Sequence, residues 1–257
     1  MYDDLDRPPL RAATLTRALA PDGWRVEVMD QATSTNAVVA ERARSGEPAG
    51  LVVVAEEQSA GRGRLDRVWV SPPRAGLTFS LLLRPSSPPA EWPWLPLLAG
   101  LGVARALRSR AGVPAVLKWP NDVLVDGRKV CGLLAEAVAG GLVVGIGLNV
   151  TTRADELAHP EATSLQLAGA RTTDRDTLLR AVLREVAEVT KVMADVAAAK
   201  AAYRELCSTV GAMVRVELPG DVSVQGLADA VDDDGRLVVE GVAYGVGDVV
   251  HLRPLQR

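Results

Sequence analysis

Residues 115–150, AVLKWPNDVLVDGRKVCGLLAEAVAGGLVVGIGLNV, constrain the fold more than any other stretch of the chain. Three strand-like runs follow one another there, separated by Asp126-Gly127 and by Gly140-Gly141. Such dipeptides accept the positive φ angles of a tight hairpin, so the runs read as neighbouring strands of one sheet. Pro120 has no N–H to give to a ladder. Trp119-Pro120-Asn121-Asp122 should therefore break the first run and present polar groups at its end. Lys118 and Lys129 would flank a hairpin, from which both can reach one site.

The flanking segments fit around that sheet. A short helix in LRAATLTRALA leads to a strand in WRVEVMD, and TSTNAVVAERARSG reads as a helix with capping candidates at Thr33 to Asn36 and a stop at Gly46. GLVVVAEEQ (50–58) and LTFSLLLRP (77–85) are apolar enough for buried strands, and LPLLAGLGVARALRSRAG for an apolar helix. Residues 174–206 form a long amphipathic helix or helix pair, with Leu178, Leu179, Val182, Val186 and Val189 on the apolar face. After Gly211 the texture changes to short strands between tight turns, the Asp232-Asp233-Asp234-Gly235 turn among them, which suggests a small β-barrel. The expected architecture is a mixed α+β domain over residues 1–208 and a small all-β domain over 210–257.

Composition excludes several classes of function. The formal net charge is −3, so no global basic field invites nucleic acid or an anionic membrane. The N-terminal MYDDLDRPPLRAATL is acidic and lacks a signal-peptide pattern, and no apolar run spans a bilayer, which points to the cytoplasm. Cys131 and Cys207 make neither a disulfide framework nor a metal cluster. His159 and His251 stand alone, and no Ser/His/Asp arrangement assembles. Cys131 beside Lys129 reads better as an apolar strand residue than as a nucleophile. Four lysines stand against 25 arginines, so Lys118 and Lys129 mark places suited to a compact point charge.

Two further segments carry chemistry. GRGRLDRVW (61–69) puts Arg62, Arg64 and Arg67 beside glycines, as a phosphate- or carboxylate-binding loop would, and equally as a solvated turn would. It lacks the P-loop spacing. GIGLN (145–149) imitates the start of a dinucleotide fingerprint, but Val150 follows and neither a helix nor a distant acid partner is evident. Gly145 and Gly147 more simply let a ligand or strand approach closely.

Taken in order, STN, EEQSAGRGRLDRVW, KWPNDVLVDGRKVCGLLAE and GIGLNV followed by a small β-domain resemble the biotin–protein ligases, over most of the chain from about residue 30. The resemblance implies a catalytic domain like that of class II aminoacyl-tRNA synthetases, with a central mixed sheet, and an SH3-like C-terminal barrel. It implies that biotin and MgATP form biotinyl-5′-AMP, from which a lysine of a carboxylase carrier domain takes biotin without a covalent enzyme intermediate. It assigns catalysis to Lys129, Arg64 and Arg62. Biotin would be met by Ser34, Thr35, Asn36, Gln58, Gly61, Arg62, Gly63, Arg64, Lys129, Gly132, Leu134 and Gly147. ATP and the adenylate would be met by Arg67, Trp69, Lys118, Asn121 and Asn149, with Asn121 as a magnesium contact. The arginine loop would be disordered without ligand and close over the intermediate, excluding water.

The implied partners are carrier domains of acetyl-CoA, acyl-CoA or pyruvate carboxylases, with no DNA, no membrane, no tightly bound organic cofactor, and a monomer or ligand-dependent homodimer. Only about thirty residues precede STN, too few for the DNA-binding domain of the family's repressors. The rivals are a lipoate–protein ligase or an octanoyltransferase, the latter needing a catalytic cysteine, and a catalytically silent biotin sensor.

Overall fold

The computed structural model describes residues 7–64, 67–191, 196–220 and 222–252. The acidic start of the chain, its last five residues, Leu65 and Asp66 of the arginine loop, and residues 192–195 of the helical segment lie outside the described residues.

In chain order the elements are α1 (Ala12–Leu19), β1 (Arg25–Ala32), α2 (Thr35–Arg44), β2 (Leu51–Gln58), β3 (Gly61–Arg62), β4 (Val68–Trp69), β5 (Gly76–Leu83) and α3 (Trp94–Ala106). Then come β6 (Val116–Lys118), β7 (Asp122–Val125), β8 (Arg128–Val138), β9 (Gly141–Asn149), α4 (Arg175–Lys191) and α5 (Val196–Leu206). The chain ends with β10 (Met213–Leu218), β11 (Val222–Val231), β12 (Leu237–Val239), β13 (Val242–Tyr244) and β14 (Asp248–His251). A seven-stranded mixed sheet runs β1-β2-β5-β9-β8-β7-β6; β1 and β2 pair in parallel across the α2 connection, and the other neighbours are antiparallel.

The apolar runs without alternation are the central strands, covered on both faces. Val52, Val54, Leu77, Phe79, Leu81, Val144, Ile146 and Leu148 face the main core with α1, α3 and α4. Leu51, Val53, Leu82 and Val143 face α2 through Val39 and Ala43. Each such Leu, Val or Ile contributes about 1.5–3 kcal/mol of burial. Helix α2 covers only part of its face. Beyond it the inward positions of the same strands change to Thr78, Ser80, Gly145 and Gly147, and the sheet surface lies open. That is where the cleft forms.

The 115–150 block holds four strands rather than three runs. Residues 119–121 form a turn of their own that pairs Lys118 with Asp122, because the chain reverses at Trp119-Pro120, a cis bond. Asp126 and Gly127 both take positive φ, 49° and 73°, as a two-residue hairpin of that sequence requires. The helical segment is a pair, α4 and α5, and the expected apolar face is buried.

The C-terminal sheet fits the expected SH3-like barrel, without closing. Strands β10–β14 form an antiparallel sheet in the order β13-β12-β11-β10-β14, and β13 and β14 do not pair, so the sheet is open. It need not close on itself, because its apolar face already has a partner. Val214, Val216, Ala228, Leu237 and Val239 join the main core. The indoles of Trp94 and Trp119 donate to the Asp233 and Gly235 carbonyls, 2.8 and 2.9 Å away, in the turn between β11 and β12. Among the described residues no helix is long and apolar enough to cross a membrane.

Candidate active site

The open part of the sheet, the β3–β4 ribbon above it and the edge of the C-terminal sheet enclose a cleft of about 1140 Å³. Every candidate residue from the sequence lines it except Gly61. Gly61 sits behind the wall, where a Cβ would lie 2.5 Å from the Trp69 carbonyl oxygen and 2.7 Å from Gln58 Nε2.

One end of the cleft is a dense polar network at the start of α2. Ser34 holds the N-cap position without a side-chain capping bond. The helix is capped instead by Gln58 Oε1, which accepts from the Thr35 backbone N–H at 2.7 Å. Thr35 Oγ1 lies 2.7 Å from Ser80 Oγ, and Ser80 donates to Asn36 Oδ1 at 2.6 Å. Asn36 Nδ2 donates to Glu136 Oε2 at 2.6 Å and to the Leu134 carbonyl at 3.3 Å. Gly145 makes room for this: a Cβ there would lie 2.2 Å from Asn36 Oδ1. Arg62 reaches Glu136 at 3.6 Å.

The middle of the cleft is cationic. Arg64 donates to Asn121 Oδ1 at 3.3 Å and to the Gly247 carbonyl at 3.2 Å, Arg67 pairs with Asp248, and Lys129 Nζ lies 2.6 Å from Asp122 Oδ1. Asn121 Nδ2 is fixed by the Leu133 carbonyl at 3.0 Å. Burial pushes the Lys118 ammonium below its usual value, partly offset by Asp122 and Glu161, and lowers the Arg64 guanidinium likewise. A guanidinium stays charged at neutral pH all the same. His251 on β14 is held at 3.0 Å from Thr209 Oγ1, and burial, aided by Lys118, lowers it below the usual imidazole value. These groups form a preorganised positive field, in which Lys118 and Arg64 are the desolvated members, and it suits an anion better than water does.

A β-bulge decides what Lys129 does. Val123 pairs with Cys131, but Leu124 pairs with Lys129, so Val130 is an extra residue on β8. In a regular strand Lys129 and Cys131 would share a face. With the bulge, Val130 and Cys131 both enter the core, and Lys129 turns to the cleft beside Gly132. Burial raises the Cys131 thiol far above its ordinary range, so this cysteine is no thiolate nucleophile.

Trp69 lies deeper than an outer wall. Its ring rests on β8 and β9, where a Cβ on Gly147 would meet Cε2 at 2.4 Å, and Lys129 Nζ stands 5.9 Å from its ring centroid. Its Nε1 is buried without a hydrogen-bond partner. Asn149 Nδ2 donates to the Thr163 carbonyl at 3.0 Å at the opposite end of the cleft, where the buried Thr152 hydroxyl also lacks a partner. Sequence reasoning missed Ser80, Asp122, Glu136 and Thr152. Only Asp122 carried a signal, by standing in the KWPND run beside Asn121.

Comparison with known proteins agrees with this geometry. Residues 28–152 match the model of the biotin/lipoate A/B protein ligase family. The chain is 42% identical over 260 residues to a biotin–[acetyl-CoA-carboxylase] ligase of Mycobacterium tuberculosis, covering 96% of this chain and 97% of that one. A biotin protein ligase of Aquifex aeolicus, solved with biotin and ATP, superposes with a TM-score of 0.75 at 30% identity over 88% of this chain and 99% of that chain. One from Leishmania major, solved with biotinyl-5-AMP, gives 0.63 at 25% identity over 89% and 98%. With near-complete coverage of both sequence and fold, the chain belongs to the biotin/lipoate A/B protein ligase family, among its biotin protein ligases.

Proposed function

We propose that the chain activates biotin with ATP as biotinyl-5′-AMP and transfers it to a lysine of a carrier domain of biotin-dependent carboxylases. The observation that carries this reading is the division of one cleft into a polar network at the start of α2 and a partly desolvated cationic centre. Gln58 Oε1 is pinned by the Thr35 N–H, so its Nε2 remains to donate to a ureido oxygen. Gly132, Leu134 and Gly147 form a low floor for the bicyclic ring and tail. Lys118, Lys129, Arg62 and Arg64 stand where a carboxylate and an α-phosphate would meet. Two anions approach one another in that step, and positive charge placed in advance lowers its barrier. Arg67, Trp69, Asn121 and Asn149 would hold the nucleotide.

Magnesium would arrive with ATP. The hard oxygens of Asn121 and Asp122 suit a cation that keeps most of its water, and it would neutralise phosphate charge there. Residues 1–208 would then be the biotin and ATP domain, with 210–257 supplying Gly247, Asp248 and His251 to its wall. We place the reaction in the cytoplasm, with carrier domains as the protein partners.

The buried Cys131 disfavours the octanoyltransferase alternative, which needs a reactive thiol. The test is biotin-dependent pyrophosphate release from MgATP, with lipoate and octanoate as controls. Turnover with biotin alone, retained as adenylate until a carrier domain is added, is the expected result. Turnover with lipoate instead would overturn the assignment.

A further inference from the structure

The wall of the cleft beyond Asn149 is a loop held from outside. Residues 151–161 form neither helix nor strand, yet Thr152 and the run from Leu157 to Ala162 line that end of the cleft. The main chain anchors the loop at its two ends. The Thr151 N–H donates to the Ala75 carbonyl at 2.7 Å, and the Lys129 N–H donates to the Glu161 carbonyl at 2.9 Å. Between those ends, among the described residues, each hydrogen bond that ties residues 152–158 to another part of the chain runs to Arg7. Its guanidinium grips both oxygens of Glu156, Nη1 on Oε1 at 3.1 Å and Nη2 on Oε2 at 2.5 Å, and Nη2 also donates to the Thr151 carbonyl at 2.9 Å. Glu156 passes the hold on, since its Oε2 accepts from the Arg153 backbone N–H at 2.9 Å.

Arg7 is itself fixed. It belongs to a strap, residues 7–11, in which the Pro8 carbonyl accepts from Arg175 at 2.6 Å, the Leu10 N–H donates to Glu56 at 2.6 Å and Arg11 meets Asp176 at 2.7 Å. The clasp is largely buried, with 6% of the Arg7 side chain and 16% of Glu156 exposed, so a fork-on-carboxylate pair there is little screened by salt. The loop does not settle by its own bonding, because the Thr152 hydroxyl on the same wall is buried without a partner. We propose that Arg7, acting through Glu156, is a positioning residue for the nucleotide: it holds the loop as the wall against which the base and ribose of ATP rest. Arg7 does not line the cleft, so it acts only through the loop. The biotin end is independent of it, since Thr35, Asn36, Gln58 and Ser80 hold one another. Lys129 is independent too, its main chain being bonded to Glu161 and Thr163 beyond the clasp. The inference rests on the ligase reading above.

The test measures pyrophosphate release by the full chain, varying ATP at saturating biotin and then biotin at saturating ATP, in the native protein, Arg7→Ala, Glu156→Gln and the double variant. An unclasped loop binds nucleotide only while it stands in place, so the apparent affinity falls by that fraction; a loop in place about a tenth of the time raises KM for ATP about tenfold. That rise is expected in Arg7→Ala, with KM for biotin within about twofold. Glu156→Gln keeps an acceptor but no charge, and should raise KM for ATP about threefold. The double variant should be no worse than Arg7→Ala, because both substitutions open one clasp. Glu156→Gln leaves the strap intact and decides the matter if Arg7→Ala does not fold. An unchanged KM for ATP in folded Glu156→Gln would overturn the proposal, and so would an equal rise in both KM values, the mark of general loosening. Either outcome leaves native biotin turnover, and with it the ligase reading, standing. A native chain inert toward biotin would overturn both.

Discussion

Replacing Lys129 with Met removes one charge and little else. Its stem lies against Gly132, where a Cβ would meet Cε at 2.9 Å, and Met keeps that coverage. Lys129 is partly exposed, so an effective dielectric near 20 applies rather than the dry-interior value, and a unit charge about 4 Å from an anion is then worth about 4 kcal/mol. At 1.36 kcal/mol per decade this is a loss of about 10³ in kcat/KM for adenylate formation. Asp122, left 2.6 Å from where the ammonium stood, adds a like charge to the two reacting anions and can only deepen the loss. The assay is biotin-dependent pyrophosphate release at saturating MgATP, with circular dichroism as the fold control. Lys129 lies outside the core, so the melting temperature should hold within a few degrees. A folded Lys129→Met that loses less than tenfold would refute the charge-placement argument, since no other ammonium occupies that position.

Two predictions concern stability. Glu56 and Arg175 form a buried pair at 2.5 Å, and Glu56 also accepts from the Leu10 N–H at 2.6 Å, tying the N-terminal strap to β2 and α4. Arg175→Met strands a buried carboxylate at a cost of about 3–5 kcal/mol, which lowers the melting temperature by roughly 10 °C for a chain of this size; a fall under about 2 °C would contradict it. Glu156 is held down to about 2 from its usual 4.5, chiefly by its bonds to Arg7. A depressed carboxylate stabilises the fold above its unfolded value and loses that contribution as pH falls through the folded one. Urea midpoints of the native chain and Arg7→Ala should therefore differ above about pH 4.5 and converge toward pH 2; a gap constant down to pH 2 would sink this.

The sequence announces its strands through local chemistry and is silent where distance intervenes. Asp126-Gly127 and Gly46 sit where their backbone angles demand, and unalternated runs mark the central strands because both faces are covered. KWPND was legible as a break but not as a full reversal, since nothing local says that Lys118 will face Asp122. The bulge at Val130 was not legible either, because strand parity alone puts Lys129 on the core face with Cys131. The β3–β4 ribbon is two residues a side, too short to show a period. Ser80, Glu136 and the Glu56–Arg175 pair join residues 44, 100 and 119 positions apart. A single sequence carries no trace of such pairings. The small C-terminal barrel was legible from its short strands between turns, but that it stays open was not, because only the surface opposite decides closure.

The indole bonds from Trp94 and Trp119 into the turn after β11 bear on how such a chain could be recombined. The five-stranded sheet is not a cassette. A hybrid that took it from a relative would inherit a turn shaped for other tryptophans, leaving two large indoles to find new acceptors in an interior both sheets share. Crossovers should survive only where α3, the KWPND hairpin and the β11–β12 turn travel together.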